Sequence, residues 1–309
     1  MKIDKNITNP VYKELKKIKL ISYKNLIKIN NRTRDKKISV FKDKKSKIIF
    51  LEKFTTKNNY YSALKYRDDD KKNSKKGKIA KVKTLSGYLK TPVLEDDLRR
   101  KEQFQKILYN KDILDFGCGW GGFLKSLKKT KSLNGVELRK ECINYIKLNL
   151  KKIKILDNIN SFNKNFDVIT MFHVLEHIPY QVETLKLLKS KLKKNGKIII
   201  EVPHAEDFLI LQDELKEFKN FTFWSEHLIL HTFKSLKTIL LLAGYKKINI
   251  NFYQRYNFSN HLGWFLKRKP GGHYFYKDKE CFGKQLNNSY IKNLIRLRQT
   301  DTLIAVAQK

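Results

Sequence analysis

Cysteine is scarce in this chain of 309 residues, which has three, Cys118, Cys142 and Cys281. An odd number without regular spacing excludes a disulfide framework and a cysteine zinc site, and it fits a reducing cytoplasm. Long apolar runs are lacking too. The opening residues, MKIDKNITNPVYKELKKIKLIS, contain no uninterrupted apolar core of signal-peptide length, and no later stretch reaches membrane-spanning length. The expectation is a soluble, cytoplasmic protein, with attachment to an anionic membrane surface through basic residues left open. Acidic residues are the third shortage: 30 Asp and Glu stand against 67 Lys and Arg, a formal net charge of +37. Such a field attracts polyanions such as RNA. Lysine, however, far outnumbers arginine and is spread along the chain with Asn and Ile, as an AT-rich coding bias produces. A dedicated nucleic-acid reader more often clusters its charge and uses arginine, so the compositional reading is preferred and nucleic acid stays an open partner.

What is present suffices for one α/β core and a smaller appendage, with 41% apolar and 12% aromatic residues. Residues 1–93 read as a basic N-terminal module and linker, with a strand-like pair, ISVF and KIIFLE, around Ser39 to Glu52 and a charged run from Arg67 to Lys83. From Leu94 the texture changes. LEDDLRRKEQFQKIL has helical spacing and runs into the apolar DILDF. FLKSLKK, LNGVEL, KECINYIKLNL, KIKIL, FDVITMF, QVETLKLLKSKL and KIIIEVP then alternate between helix-like and strand-like. Alternation of this kind signals right-handed βαβ units, a parallel sheet and a doubly wound α/β fold over 94–309. The helix HTFKSLKTILLLAGY stops at Gly244, KKINI follows as a strand, and TLIAVA is the last. Between those two strands an aromatic and basic insertion, about 252–299, is too long for a hairpin loop.

The central signal is DILDFGCGWGGFL, an apolar strand that runs into Gly117, Gly119, Gly121 and Gly122 and then a helix. Glycines let a backbone turn tightly and approach a ligand closely. Gly117, Gly119 and Gly122 also satisfy the dinucleotide fingerprint, so charge must discriminate. Asp115 sits where a pyrophosphate would lie, and the two anions would repel. A cationic cofactor without phosphates is compatible with Asp115. Glu137 ends the next strand and suits both hydroxyls of a ribose.

ILDFGCGWGGFL, NGVEL, FDVITMFHVLEHI and GKIIIEVP together resemble the motifs of class I S-adenosylmethionine-dependent methyltransferases, over roughly two-thirds of the chain. The resemblance implies a seven-stranded sheet with an antiparallel last strand and S-adenosylmethionine as cofactor. It also implies Asp115 near the methionine ammonium, Gly117 and Gly119 beside the sulfonium with Gly121 in the same turn, and Glu137 on the ribose. Asp157 or Asn158 would face the adenine, and Phe172 and His173 would border the cofactor. FHVLEH is similar to the ubiquinone-biosynthesis O-methyltransferases and to small-molecule and sugar methyltransferases. The insertion resembles a region of bacterial surface-glycan methyltransferases. The N-terminal strand pair faintly resembles a zinc-ribbon module ahead of sugar C-methyltransferases, but its cysteines are missing, which excludes zinc there and favours O-methylation.

Transfer to a hydroxyl needs in-line alignment and a proton acceptor. His173, His177, His204 and His227 are the candidates, with His227 and His177 singled out as catalytic and Glu226 able to orient His227. A helix-capping role competes for both histidines. In the insertion, Arg255, Asn260, His261 and Trp264, with Arg268, suit a sugar ring and its phosphates, or equally a packed subdomain. No spacing resembles HExxH or a carboxylate cage, so no metal is expected. The reading is methyl transfer to a hydroxyl of a small-molecule acceptor, a sugar, nucleotide-sugar or glycan precursor. A quinone-precursor or RNA methyltransferase, or a non-catalytic cofactor-binding scaffold, stands as the alternative.

Overall fold

The computed structural model describes residues 6–54, 93–272 and 283–309; the charged run from Arg67 to Lys83 lies outside them. Among the described residues, eleven strands form two sheets. The larger has the order β10-β11-β8-β7-β4-β5-β6, built from β4 (Asp112–Phe116), β5 (Ser132–Val136), β6 (Ile153–Leu156), β7 (Phe166–Phe172), β8 (Leu192–Pro203), β10 (Lys246–Tyr253) and β11 (Thr302–Gln308). Strands β4 to β8 pair in parallel, and β11 runs antiparallel to both β8 and β10. This is the doubly wound sheet with a reversed final strand that the sequence motifs imply.

The apolar strands alternate between two buried faces, as a covered parallel sheet requires. Along β4, Leu114 packs with the helices Gln181–Ser190 and Phe233–Leu242, while Ile113 packs with Glu95–Leu108, Gly122–Ser126 and Lys140–Asn149. Along β8, Ile198 and Ile200 face the first group and Ile199 the second. Strand order reverses at β4, which has β5 on one side and β7 on the other. The crevice beyond the carboxyl end of β4 is therefore the switch point where ligands bind in such sheets.

The smaller sheet is antiparallel, with the order β1 (Leu26–Asn30), β2 (Val40–Asp43), β3 (Ile49–Leu51), β9 (Ile229–Leu230). Its alternation is equally regular. Phe41 and Phe50 pack on the helix Pro10–Lys17, whereas Val40, Ile49 and Leu51 meet Leu209, Phe218, Phe223 and Trp264. Because β9 belongs to the segment between β8 and β10, the N-terminal strands are built onto a connection within the larger sheet. Asn9 ties the two by donating from Nδ2 to the carbonyls of Leu51 and Leu228, both at 2.9 Å.

Candidate functional site

The site begins where β4 ends. Asp115 is 4% exposed and accepts a hydrogen bond from Thr170 Oγ1 on β7 at 2.7 Å. Burial pushes its carboxyl up to about 7, against the pull of Thr170 and Arg100. A cation beside it would restore the ionised form, whereas a phosphate would not. Gly117 has φ +80, and a Cβ there would stand 2.5 Å from Val174, so the turn needs glycine for both conformation and space. Gly119 and Gly121 are also left-handed.

Glu137 follows β5 directly. Its carboxylate accepts from the backbone N–H groups of Gly119 (2.8 Å), Leu138 (2.9 Å) and Arg139 (3.0 Å), which aim it at the glycine turn. The Arg139 guanidinium donates to the same two oxygens at 3.2 and 3.3 Å. Those contacts fix the orientation of the carboxylate beside the glycine turn. Among the described residues at this turn, the fixed groups are two carboxylates, backbone amides and the Arg139 guanidinium, which offsets the charge of Glu137 and leaves buried Asp115 as the carboxylate that suits a cationic ligand. Asp157 and Asn158, at the end of β6, are exposed, and Asn158 caps a short turn by accepting from Asn160 N–H at 2.9 Å.

Beyond β7 and β8 the character changes to dense opposite charge. Glu201, fully buried on β8, accepts from Arg99 Nη2 (2.8 and 3.0 Å) and from Arg100 Nη2 (2.8 Å) and Nε (3.3 Å). His173 adopts φ +53 and lies 3.2 Å from Glu201 through Nε2 and 3.3 Å from Glu176 through Nδ1. Burial lowers its tendency to protonate, but the two carboxylates outweigh that and raise its pKa. Arg255 Nη1 is 3.3 Å from His173 Nε2, while Nη2 donates to Asp96 at 2.5 Å. Phe172 turns toward Phe104 and Phe123 beneath the Arg100 guanidinium. The structure thus joins His173 to Arg255, a proposed cofactor contact to a proposed acceptor contact.

The other described histidines are held neutral. Burial, reinforced by His177, pushes His227 down to about 3. Burial also lowers His177, and brings His204 and His231 to about 4. A buried imidazole that resists protonation is a weak proton acceptor at neutral pH, in contrast with the near-neutral base expected of His227. His177 and His227 do come together, with ring centroids 4.9 Å apart. Glu226 is 3% exposed, both its carboxylate oxygens lack hydrogen-bond partners, and burial raises it to about 8.

In the insertion, Arg255 alone of the four acceptor residues reaches the charged cluster. Asn260, His261 and Trp264 belong to the helix Phe258–Lys267 and are 5%, 2% and 2% exposed. His261 stacks on Phe208 and pairs with the Tyr290 hydroxyl at 2.7 Å. Trp264 packs against Phe218 and Phe221. Trp264 is therefore a core residue and not an open platform, because the cap needs a large apolar side chain between its helices. Sequence reasoning passed over Glu201, Arg99, Arg100, Asp96 and Thr170. An acid in the otherwise apolar KIIIEVP and an Arg pair in LEDDLRRKEQF were the available signals.

The chain is similar to known methyltransferases. A tRNA U34 carboxymethyltransferase of Wolinella succinogenes is 28% identical over 155 residues, 46% of this chain and 54% of that protein. A mitochondrial ubiquinone biosynthesis O-methyltransferase of Candida albicans is 31% identical over 128 residues, 35% of this chain and 38% of that protein. The chain spans about half or less of the length of these curated relatives. Among solved structures, a SAM-dependent methyltransferase from Archaeoglobus fulgidus is 20% identical with a TM-score of 0.46, covering 70% of this chain and 94% of that one. The family profile described as "Methyltransferase domain" matches residues 92–250. That span runs from the helix before β4 into β10 and takes in just over half of the chain, so the protein belongs to the class I, S-adenosylmethionine-dependent methyltransferases.

Proposed function

We propose that the chain methylates a hydroxyl of a small polar acceptor, such as a sugar or glycan precursor, and that residues 94–309 carry out the transfer. The observation that carries this reading is the meeting, at the switch point, of a buried carboxylate turn with a charged acceptor end. S-adenosylmethionine, when bound, supplies an electrophilic methyl on sulfur. Asp115 would hold its ammonium and Glu137 its ribose, with Gly117, Gly119 and Gly121 keeping the backbone close and Asp157 or Asn158 at the adenine. His173 and Arg255, backed by Glu201 and Asp96, would orient the acceptor. His177 and His227 would handle its hydroxyl. Most of the acceleration then comes from alignment.

A second reading, methylation of RNA, is favoured by the net charge of +37 and by the Wolinella relative, which is named for carboxymethyl transfer to tRNA U34. The Candida relative supports a phenolic quinone precursor in the same way. The test is transfer of labelled methyl groups from S-adenosylmethionine to three acceptor panels: nucleotide sugars, catechols and bulk tRNA. Label in the first panel supports the proposal. Label confined to tRNA, in binding that weakens steeply with salt, replaces it with the RNA reading.

A further inference from the structure

Glu176, His177 and His227 form a cluster that neither the fold nor the glycine turn explains. One ligand atom from each lies within 4.8 Å of the other two. Glu176 and His177 leave the 3₁₀ turn after β7, and His227 comes from the loop ahead of β9. Backbone bonds fix the two segments: Leu228 N–H donates to the Glu176 carbonyl at 2.9 Å, and Ile229 is paired with Phe50 of β3. Three polar atoms here have no hydrogen-bond partner, namely Glu176 Oε2, His177 Nδ1 and His227 Nδ1. Glu176 is fully buried, and the His177 side chain is 13% exposed. Buried polar atoms are almost always partnered, so three atoms without a partner among the described residues, on side chains that meet in one cluster, are a large cost unless something satisfies them together.

A cation satisfies them in a way that no fourth side chain does. Two imidazole nitrogens and one carboxylate oxygen form the donor set of a three-ligand transition-metal site, with one further position open. Magnesium and calcium prefer all-oxygen shells. Outer contacts are present as well, since Glu176 Oε1 is bonded to His173 Nδ1, which is itself held through Nε2 by Glu201. We infer that Glu176, His177 and His227 bind a single divalent transition-metal ion, zinc by preference, at the acceptor end of the site. The linear spacing predicts no metal because His227 is far from the other two ligands in sequence. An ion here deepens the proposed handling of the acceptor hydroxyl: the histidine lone pairs go to the metal, and the open position takes water or the acceptor oxygen.

The experiment uses the full chain without a histidine tag, stripped with a chelator and titrated with Zn²⁺ and Co²⁺. The expected result is one zinc per chain by elemental analysis and a visible Co²⁺ spectrum of a low-coordinate nitrogen and oxygen site. His227→Gln and Glu176→Gln should each weaken binding by at least about 100-fold, the upper end for loss of an outer-shell partner. Circular dichroism and S-adenosylhomocysteine binding report whether each variant is folded, and His227→Gln, in a loop, serves if Glu176→Gln is not. Absence of a stoichiometric ion, or zinc retained undiminished by folded His227→Gln, overturns the inference. Metal content is read without turnover, so its failure is distinct from failure of the methyl-transfer reading.

Discussion

The two ends of the site are built on opposite plans. At the carboxyl ends of β4 and β5, the glycine turn, Asp115 and Glu137 come from one short stretch of chain, and backbone amides and Thr170 hold the acids in place. At the ends of β7 and β8, side chains hold side chains, and the partners arrive from residues 96–100, 173–177, 201, 227 and 255. The first end is local and rigid enough to bind a common cofactor. The second is assembled at long range, so on the proposed reading single substitutions there would change the acceptor while the cofactor turn is left alone.

The sharpest way to break that contrast is Glu201→Ala. It leaves Arg99 and Arg100 without their buried counter-ion and should cost about 3–5 kcal/mol by urea unfolding. A loss below about 1 kcal/mol would show that the cluster is solvated and loose. Trp264→Ala should cost a similar amount, about 3–5 kcal/mol, by opening a cavity in the cap. If Trp264 instead offers a face to a sugar, stability will hold and the acceptor KM will rise. Glu137→Ala should weaken S-adenosylhomocysteine binding by roughly 2–3 kcal/mol in calorimetry, the range for charge-assisted hydrogen bonds, with little effect on the acceptor cluster. Gly117→Ala should cost about 1–3 kcal/mol from the left-handed φ, and adding Val174→Ala should recover only the steric part.

Acid sensitivity separates the ends with a smaller effect. His204, His227, His231 and His261 are held neutral, at about 4, 3, 4 and 4 against an ordinary 6.5. Their folded pKa values lie below their unfolded ones, so their contribution is present above about pH 6.5 and is lost as pH falls toward 4. The midpoint of thermal unfolding should drop across that window. Asp115 has the opposite sign. Its raised pKa lets the unliganded chain lose stability as pH rises through about 7, while affinity for the cationic S-adenosylmethionine should increase over the same interval.

The same contrast decides what could be read from the chain. Strands β4 to β8 were legible because buried parallel strands write themselves as short apolar runs between helical stretches, and Glu137 was legible because its partners Gly119, Leu138 and Arg139 come from the same stretch of chain. His227 and His177 read as separate candidate bases; that their rings meet, and that burial holds them neutral, is nothing the spacing encodes. Glu201 shows the limit. An acid in an apolar strand gives no hint that two arginines will reach it from the helix Glu95–Leu108 until the crossover is folded. Trp264 errs in the other direction, since an aromatic beside arginine in sequence reads as a binding platform whether it faces a ligand or a core.

The most direct test is a calorimetric titration of the purified chain with S-adenosylmethionine and S-adenosylhomocysteine, with NAD as control. Binding of the two sulfur nucleotides, weakened in Glu137→Ala and absent for NAD, is the predicted result. Binding of NAD, or of none of the three, would contradict the assignment of Asp115 and Glu137 to a sulfonium cofactor.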